Sequence, residues 1–308
     1  MPQHSYDVVI VGGGAAGLSA ALVLGRARRS VAVIDAGSPR NAPAAHMQGF
    51  LSRDGMPPAE LLAVGRDEVA GYGVEIVDGT VVGIEPGFVV HLADGETVSA
   101  RRVLVTTGVS DDLPAIAGVR ERWGRDLLHC PYCHGWEVRD QPLGVLGTHP
   151  GAVMHAHLIR QWSDDVVFFS HTSYLSDSDR AQLDARGIRV VDGEVAALVV
   201  DDDRLTGVAL ADGTVVARAA VFVRPRNVPH SDGLLPSLGI EVDAEGFAVV
   251  DRDGRTNTAG VWAAGNVVDP RASVIAAAGA AATAAMSINA DLVQEDVRRS
   301  ATDPQERS

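Results

Sequence analysis

Cysteine is nearly absent. The 308-residue chain has two, Cys130 and Cys133. With no other thiol, a disulfide-stapled secreted scaffold is excluded, and one closely spaced pair remains to be explained. Positive charge is also scarce. Lys and Arg total 26 against 40 Asp and Glu, a net charge of -14. That balance excludes the basic patches that nucleic acid or an anionic membrane demands. There is no low-complexity segment, only a polar tail after Glu295 that is expected to fray. The polar start Met1–Tyr6 leads straight into a strand, so no signal peptide is expected and the cytoplasm is the expected compartment. One uncharged stretch, Ala272–Ala290, is about long enough to cross a bilayer. It is mostly alanine, with Ser273, Thr283, Ser287 and Asn289 spread through it, so a tightly packed helix of a soluble protein is expected and no membrane.

The length calls for two domains. Asp7–Val11 is a short apolar run, followed by a glycine turn, the helical pattern Ala16–Arg26 and a second apolar run ending at Asp35. This is a β-α-β unit, which implies a parallel sheet. A loop rich in Pro, Gly and Asn spans Gly37–Pro58, and a helix is predicted over Ala59–Gly71. Short β-like runs follow at Val74–Val77, Thr80–Ile84, Val89–Leu92 and Val103–Thr106. Around Asp111–Gly118 the pattern becomes loop-like. Beyond the cysteines it restarts with a strand at Leu143–Leu146, a turn, a helix over Ala152–Trp162 and a strand at Val166–Phe169. A strand-like Val261–Ala264 and the alanine-rich helix close the chain. The pattern is one domain split in sequence, with a second inserted into it.

Gly12-Gly13-Gly14-Ala15-Ala16-Gly17 satisfies G-x-G-x-x-G between a strand and a helix, with an acid, Asp35, ending the next strand. Gly12 permits the tight turn, Gly14 lets backbone approach a pyrophosphate, and Gly17 lets helix and strand pack closely. The helix N-terminus favours phosphate charge, and Asp35 can accept hydrogen bonds from a ribose. A bound dinucleotide is expected. Two further segments, Thr106-Thr107-Gly108 and Thr258–Asn266, resemble the internal and C-terminal FAD motifs of flavoproteins with two dinucleotide domains. Asn266 stands where that motif usually has an aspartate, and the helix from about Ser273 would turn its positive end toward the flavin.

With those motifs and with Cys130-Pro131-Tyr132-Cys133 in the inserted region, the chain resembles the low-molecular-weight thioredoxin reductases along nearly its whole length. His129-Cys130-Pro131-Tyr132-Cys133-His134-Gly135-Trp136-Glu137 is similar to one branch of them, the thioredoxin-reductase-like FAD-dependent dithiol oxidases that close disulfides in natural products such as gliotoxin and holomycin. So is the loop with Arg40-Asn41, His46 and Gly49-Phe50-Leu51. The resemblance implies an α/β fold of two Rossmann-like, FAD/NAD(P)-binding domains, the second inserted into the first. The expected parts are an FAD domain over 1–113, an insert over 114–229 and the rest of the FAD domain over 230–308. It implies FAD contacts at Gly12, Gly14, Ala15, Ala16, Gly17, Asp35, Arg40, Asn41, His46, Val82, Thr107, Gly108, Gly265, Asn266, Ser273 and Val274, and a homodimer. Cys-Pro-Tyr-Cys is also the glutaredoxin signature, but a glutaredoxin carries it near the start of a small domain. A zinc site would need two further ligands, and His129 and His134 flank the pair too closely to complete a tetrahedron, so no metal is expected.

The inserted domain departs from a reductase. Its turn reads Gly147-Thr148-His149-Pro150-Gly151-Ala152, with a histidine where backbone should approach the pyrophosphate and a proline that removes a donor. After the next strand, Ser170-His171-Thr172-Ser173-Tyr174 has no arginine for a 2′-phosphate, and none appears before Arg180. NADPH is therefore not the expected donor. The expected reaction takes electrons from a small dithiol through Cys130 and Cys133 to FAD and then to O2, giving hydrogen peroxide. By resemblance Cys133 is the sulfur next to the flavin and Cys130 the exchanging one. His134 is the first candidate for proton transfer and His129 the second. Two other readings stay open: a reductase that serves a thioredoxin-like protein with NADPH or another donor, and a flavin-binding sensor without turnover.

Overall fold

The computed structural model describes residues 5–230 and 233–302. Met1–His4 and the last residues of the polar tail, 303–308, lie outside them. The chain runs through β1 (Ser5–Val11), α1 (Ala15–Arg26), β2 (Val31–Asp35), α2 (Pro58–Ala70), β3 (Glu75–Asp78), β4 (Val81–Glu85), β5 (Val89–Leu92) and β6 (Thr97–Val105). It then passes through β7 (Val109–Asp112), α3 (Val119–Arg122), β8 (Leu127–Leu128), α4 (Pro131–His134), β9 (Leu143–Leu146), α5 (Ala152–Ile159), β10 (Val166–Phe169), α6 (Asp177–Ala185) and β11 (Arg189–Val191). There follow β12 (Val195–Asp201), β13 (Arg204–Leu210), β14 (Val215–Ala217), β15 (Ala220–Phe222), β16 (Arg226–Pro229), α7 (Leu234–Ser237), β17 (Val261–Ala263) and α8 (Val274–Thr302).

The backbone divides into two compact units. The first holds the chain up to Arg40, Ala59–Ser110 and the part from Val228 onward; the second holds Asn41–Pro58 and Asp111–Asn227. In the first, seven strands form one sheet in the order β3-β2-β1-β6-β5-β4, with β17 also paired to β6. β1 is parallel to β2 and β6, as a crossover helix requires. One face of the sheet is covered by α1 and α8, which meet through Ala20, Ala21, Leu24, Ala281, Ala284, Ala285 and Ile288. Alanine at these positions is what lets two helix backbones approach closely.

The sequence leads one to expect a tightly packed alanine-rich helix and a frayed tail. The structure packs the helix on its inner face and corrects the tail as far as Thr302. α8 buries only its inner face, leaving Ile275, Met286, Val293 and Val297 exposed. Its length and composition would allow it to cross a membrane, but its inner alanines belong to the core of the first unit. The helix also continues past Glu295, because arginines distant in sequence clasp it. Arg29 binds Asn289 at 2.8 Å and Asp296 at 2.9 Å. Arg102 reaches Asp291 at 2.6 Å and Glu295 at 2.7 Å. Arg101 ties Asp7, at 2.8 Å, to Asp296.

The second unit carries a five-stranded parallel sheet, β11-β10-β9-β15-β8, and a separate three-stranded antiparallel sheet, β12-β13-β14. α5 is the crossover between β9 and β10, packed through Ala152, Ala156 and Ile159 against Val145, Phe168 and Phe222. A capping box at Ser176 and Asp179 starts α6.

Hydrogen bonds from Arg101 and Arg29 hold the Asp296 carboxyl below the usual carboxylate range. A depressed folded pKa stabilises above the unfolded value and is lost as pH falls through the folded one. Asp296→Asn should therefore lower the thermal unfolding midpoint at pH 7 and at pH 5, with the difference shrinking as the pH falls below the ordinary carboxylate range. A difference that did not shrink as the pH fell would mean the carboxylate charge is not what holds α8.

Candidate functional site

The glycine turn of the first unit opens on a helix whose N-terminus is left without a side-chain cap. Gly12 adopts a φ of +108°, in the left-handed region, and its N–H donates to the Ile34 carbonyl at 2.8 Å. A Cβ on Gly17 would collide with the Gly12 carbonyl oxygen, so helix and turn meet at a contact only glycine allows. A Cβ on Gly14 would meet no protein atom within 4 Å. Space is thus kept beside Gly14, in front of the first-turn N–H groups of Ala15 and Ala16, where phosphate oxygens are well placed to accept. Asp35 accepts the Gly13 N–H at 3.1 Å with one oxygen and pairs with Arg66 through the other.

The remaining parts converge on the same turn. Thr106 Oγ1 donates within reach of the Val11 and Gly12 carbonyls, at 3.0 and 2.8 Å. Thr107 Oγ1 is buried without a hydrogen-bond partner, and Gly108 has a φ of +76°. Gly265, at φ +79°, packs its bare Cα against Ala16. Asn266 donates through Nδ2 to the Asp269 and Ala272 carbonyls at 2.9 and 3.0 Å. This shapes the loop just before Ser273, whose own carbonyl accepts the Ala277 N–H at 2.9 Å, and before Val274, the first residue of α8. Arg40 donates to the Pro270 carbonyl at 2.7 Å, on the same loop. The open turn, the uncapped helix and the orphaned Thr107 hydroxyl fit FAD.

Three further expected contacts lie on other elements of the chain. Val82 lies exposed on β4, three strands along the sheet from β1. Asn41 and His46 belong to the loop that packs within the second unit, where the Asn41 carbonyl accepts the Ala44 N–H at 3.1 Å and His46 Nδ1 bonds the Gly55 carbonyl at 3.0 Å.

In the second unit Cys130 and Cys133 form a disulfide, with Cα atoms 5.2 Å apart. Cys130 is the N-cap of α4 and Pro131 its first residue, a position that needs no N–H. The Cys130 carbonyl accepts the N–H groups of Cys133 and His134, each at 3.1 Å. His134 is held on the last turn of α4, and its Nδ1 is buried without a partner. Burial pushes the His134 pKa below its ordinary value, against the pull of the Glu137 carboxylate and the Cys130 carbonyl. At neutral pH it is a base. Tyr132 and Trp136 stand exposed around the pair, with the Tyr132 ring edge-on to Trp162 at 5.5 Å.

The second glycine turn shares its entry bond with the first: the Gly147 N–H donates to the Phe169 carbonyl at 2.8 Å, as Gly12 does to Ile34. Past that point it differs. α1 begins at the fourth position of its motif, Ala15, but α5 begins at the sixth, Ala152. Pro150 has no N–H to offer. The Gly151 N–H is given to His149 Nδ1 at 3.0 Å, and the Ala152 N–H to the His149 carbonyl at 2.9 Å. The Arg224 guanidinium lies against Gly151 where a Cβ would stand. Beside the turn a cavity of about 580 Å³ is lined by residues including Thr148, His149, Met154, Thr172, Tyr174 and Gln182, with no arginine among its walls. His171 Nδ1 accepts the Val195 N–H at 3.0 Å, and Arg180 is committed to Asp192 at 2.8 and 3.0 Å. Arg224 and the buried His155 belong to no motif and were not legible as site residues.

Residues 6–285 match the family model described as pyridine nucleotide-disulphide oxidoreductase. The crystal structure of HlmI superposes with a TM-score of 0.95 and 58% identity, covering 97% of each chain. Thioredoxin reductase sirT of Leptosphaeria maculans is 29% identical over 317 residues, spanning 95% of this chain and 96% of its own length. A probable thioredoxin reductase of Arthroderma benhamiae is 36% identical over 178 residues, 54% of this chain and 44% of the relative, so the chain spans under half of that protein. With nearly its whole length matched and a redox-spaced disulfide in its second unit, the chain belongs to the pyridine nucleotide-disulphide oxidoreductase family, as a thioredoxin-reductase-like, FAD-binding enzyme.

Proposed function

We propose that this enzyme is a dithiol oxidase: it closes a disulfide in a small dithiol and delivers the electrons to O2. The observation that carries this reading is the second glycine turn, where Pro150 removes one phosphate-facing donor and His149 takes up the N–H groups of Gly151 and Ala152. A reductase needs that turn to hold NADPH; an oxidase does not. The missing arginines after β10 point the same way, since Arg180 is already paired.

In the exchange a substrate thiolate attacks Cys130 Sγ, the Cys130–Cys133 bond breaks, and Cys133 leaves with the electron pair. The second substrate thiol then displaces Cys130, releasing the product disulfide and leaving the enzyme pair reduced. FAD, when bound, supplies the two-electron acceptor for the reduced pair and the donor to O2. Neutral His134 takes the proton from an attacking thiol and returns one to a departing sulfur, with His129 as the neighbouring candidate. Gly12, Gly14, Ala15, Ala16, Gly17, Asp35, Thr107, Gly108, Gly265, Asn266, Ser273 and Val274 would hold FAD, with Arg40, Asn41, His46 and Val82 as further contacts. The functional domains are then 1–113 with 230–308 for FAD and 114–229 for exchange. A cytoplasmic homodimer completes the proposal.

Mixed without oxygen, a small dithiol such as dithiothreitol should bleach the flavin readily, and excess NADPH slowly or not at all. Rapid bleaching by micromolar NADPH would favour a thioredoxin-reductase activity instead. His134→Ala should slow dithiol turnover by about a hundredfold or more. Because burial lowers the His134 pKa, the acid limb of the wild-type rate should lie below the ordinary imidazole range and be absent from the variant. An unchanged rate and profile would reduce His134 to a packing residue.

A further inference from the structure

His155 sits on α5, only 6% exposed. Its Nε2–H donates to the carbonyl of His129, the residue before Cys130, at 2.9 Å. The His129 ring meets it edge-on with centroids 5.9 Å apart, and the Phe222 ring does so at 6.1 Å. Its Nδ1 is buried without any hydrogen-bond partner. The imidazole therefore makes one side-chain hydrogen bond and spends it on the backbone of the redox segment. Burial, with His129, Arg224 and His149 nearby, pushes its pKa down to about 4. At neutral pH the ring has a single proton, and only the Nε2–H form can serve the carbonyl.

That carbonyl shares a rigid peptide plane with the nitrogen of Cys130. Holding the oxygen fixes the plane, and with it the direction from which the Cys130 side chain leaves the backbone. Cys130 itself has φ −88° and ψ 111° as the cap of α4. The far end of the segment is held as well, since a Cβ on Gly135 would strike the Trp162 indole and Tyr132 lies edge-on to the same ring. α5 and the turn after it thus seat the cysteine segment at two points. Thiol–disulfide exchange is sensitive to this seating, because the attacking sulfur must approach along the breaking S–S bond and small displacements cost rate.

We propose that His155 is a positioning residue for exchange at Cys130, acting through its hydrogen bond to the His129 carbonyl. The inference rests on the exchange role given to the pair above. It is tested on the full-length, FAD-loaded chain with His155→Phe, which keeps a ring and removes the donor, and His155→Gln, which keeps a donor. Flavin content and thermal midpoint report folding. The readouts are the alkylation rate of reduced Cys130 by iodoacetamide and the ratio of reduced to oxidised dithiothreitol at which the pair is half oxidised, both read by mass. His155→Phe should slow alkylation by about tenfold and shift that ratio by a similar factor, and His155→Gln should recover most of both. Wild-type values in His155→Phe would overturn the proposal, as would equal losses in both variants with flavin retained. If His155→Phe loses its flavin, the comparison passes to His155→Gln against His155→Asn, whose amide is one methylene shorter; equal alkylation rates there would overturn it. Neither readout needs oxygen or turnover. A failure of the oxidase reading would appear instead as absent oxygen uptake in the wild type.

Discussion

Backbone N–H groups at the start of a helix have no partner within it and must find acceptors elsewhere. This chain meets that requirement in two opposite ways. At the first turn no side chain caps α1, and the space beside Gly14 stays free of protein atoms. A bound phosphate then completes the structure, and the family's FAD fits that need. At the second turn the protein answers from within, with His149 accepting from Gly151 and Ala152 while Pro150 removes a donor altogether. The same strand-turn-helix frame leaves its helix N–H groups open in one unit and pairs them within the turn in the other. If the nicotinamide path is closed, the useful direction of electron flow is from thiol to flavin.

On the proposed reading α5 has a different task. α5 packs on the parallel sheet through small residues and faces the cysteine segment with His155 and, just beyond its end, Trp162. Its buried histidine has a nitrogen without a partner, a cost of roughly 1–3 kcal/mol that a purely structural position would more easily avoid with an apolar ring.

The first β-α-β unit was legible because each of its three glycines answers to a separate steric demand, and the structure meets all three around Gly12, Gly14 and Gly17. The cysteine pair was legible from its isolation alone. Other features depend on partners far away in sequence. α8 runs through Glu295 and Asp296 because Arg29, Arg101 and Arg102 reach it from other elements, which a local reading of a polar tail does not reveal. The sheet β12-β13-β14 went unread, since its runs are short and broken by acidic turns. The loop Asn41–Pro58 reads as an appendage of the first unit but packs in the second. Arg224 follows an apolar run and looks like a residue of a crossing loop; its place over Gly151 follows from the strand order, which no periodicity encodes.

The central claim is that electrons enter from a dithiol and leave to oxygen without a nicotinamide. Oxygen uptake, measured together with peroxide and oxidised product, tests it most directly. With dithiothreitol as the only reductant, the account predicts sustained turnover that consumes one O2 and forms one H2O2 for each disulfide made. No uptake from the flavin-loaded enzyme with dithiothreitol, beside brisk turnover once NADPH and a thioredoxin-like disulfide are supplied, would contradict it.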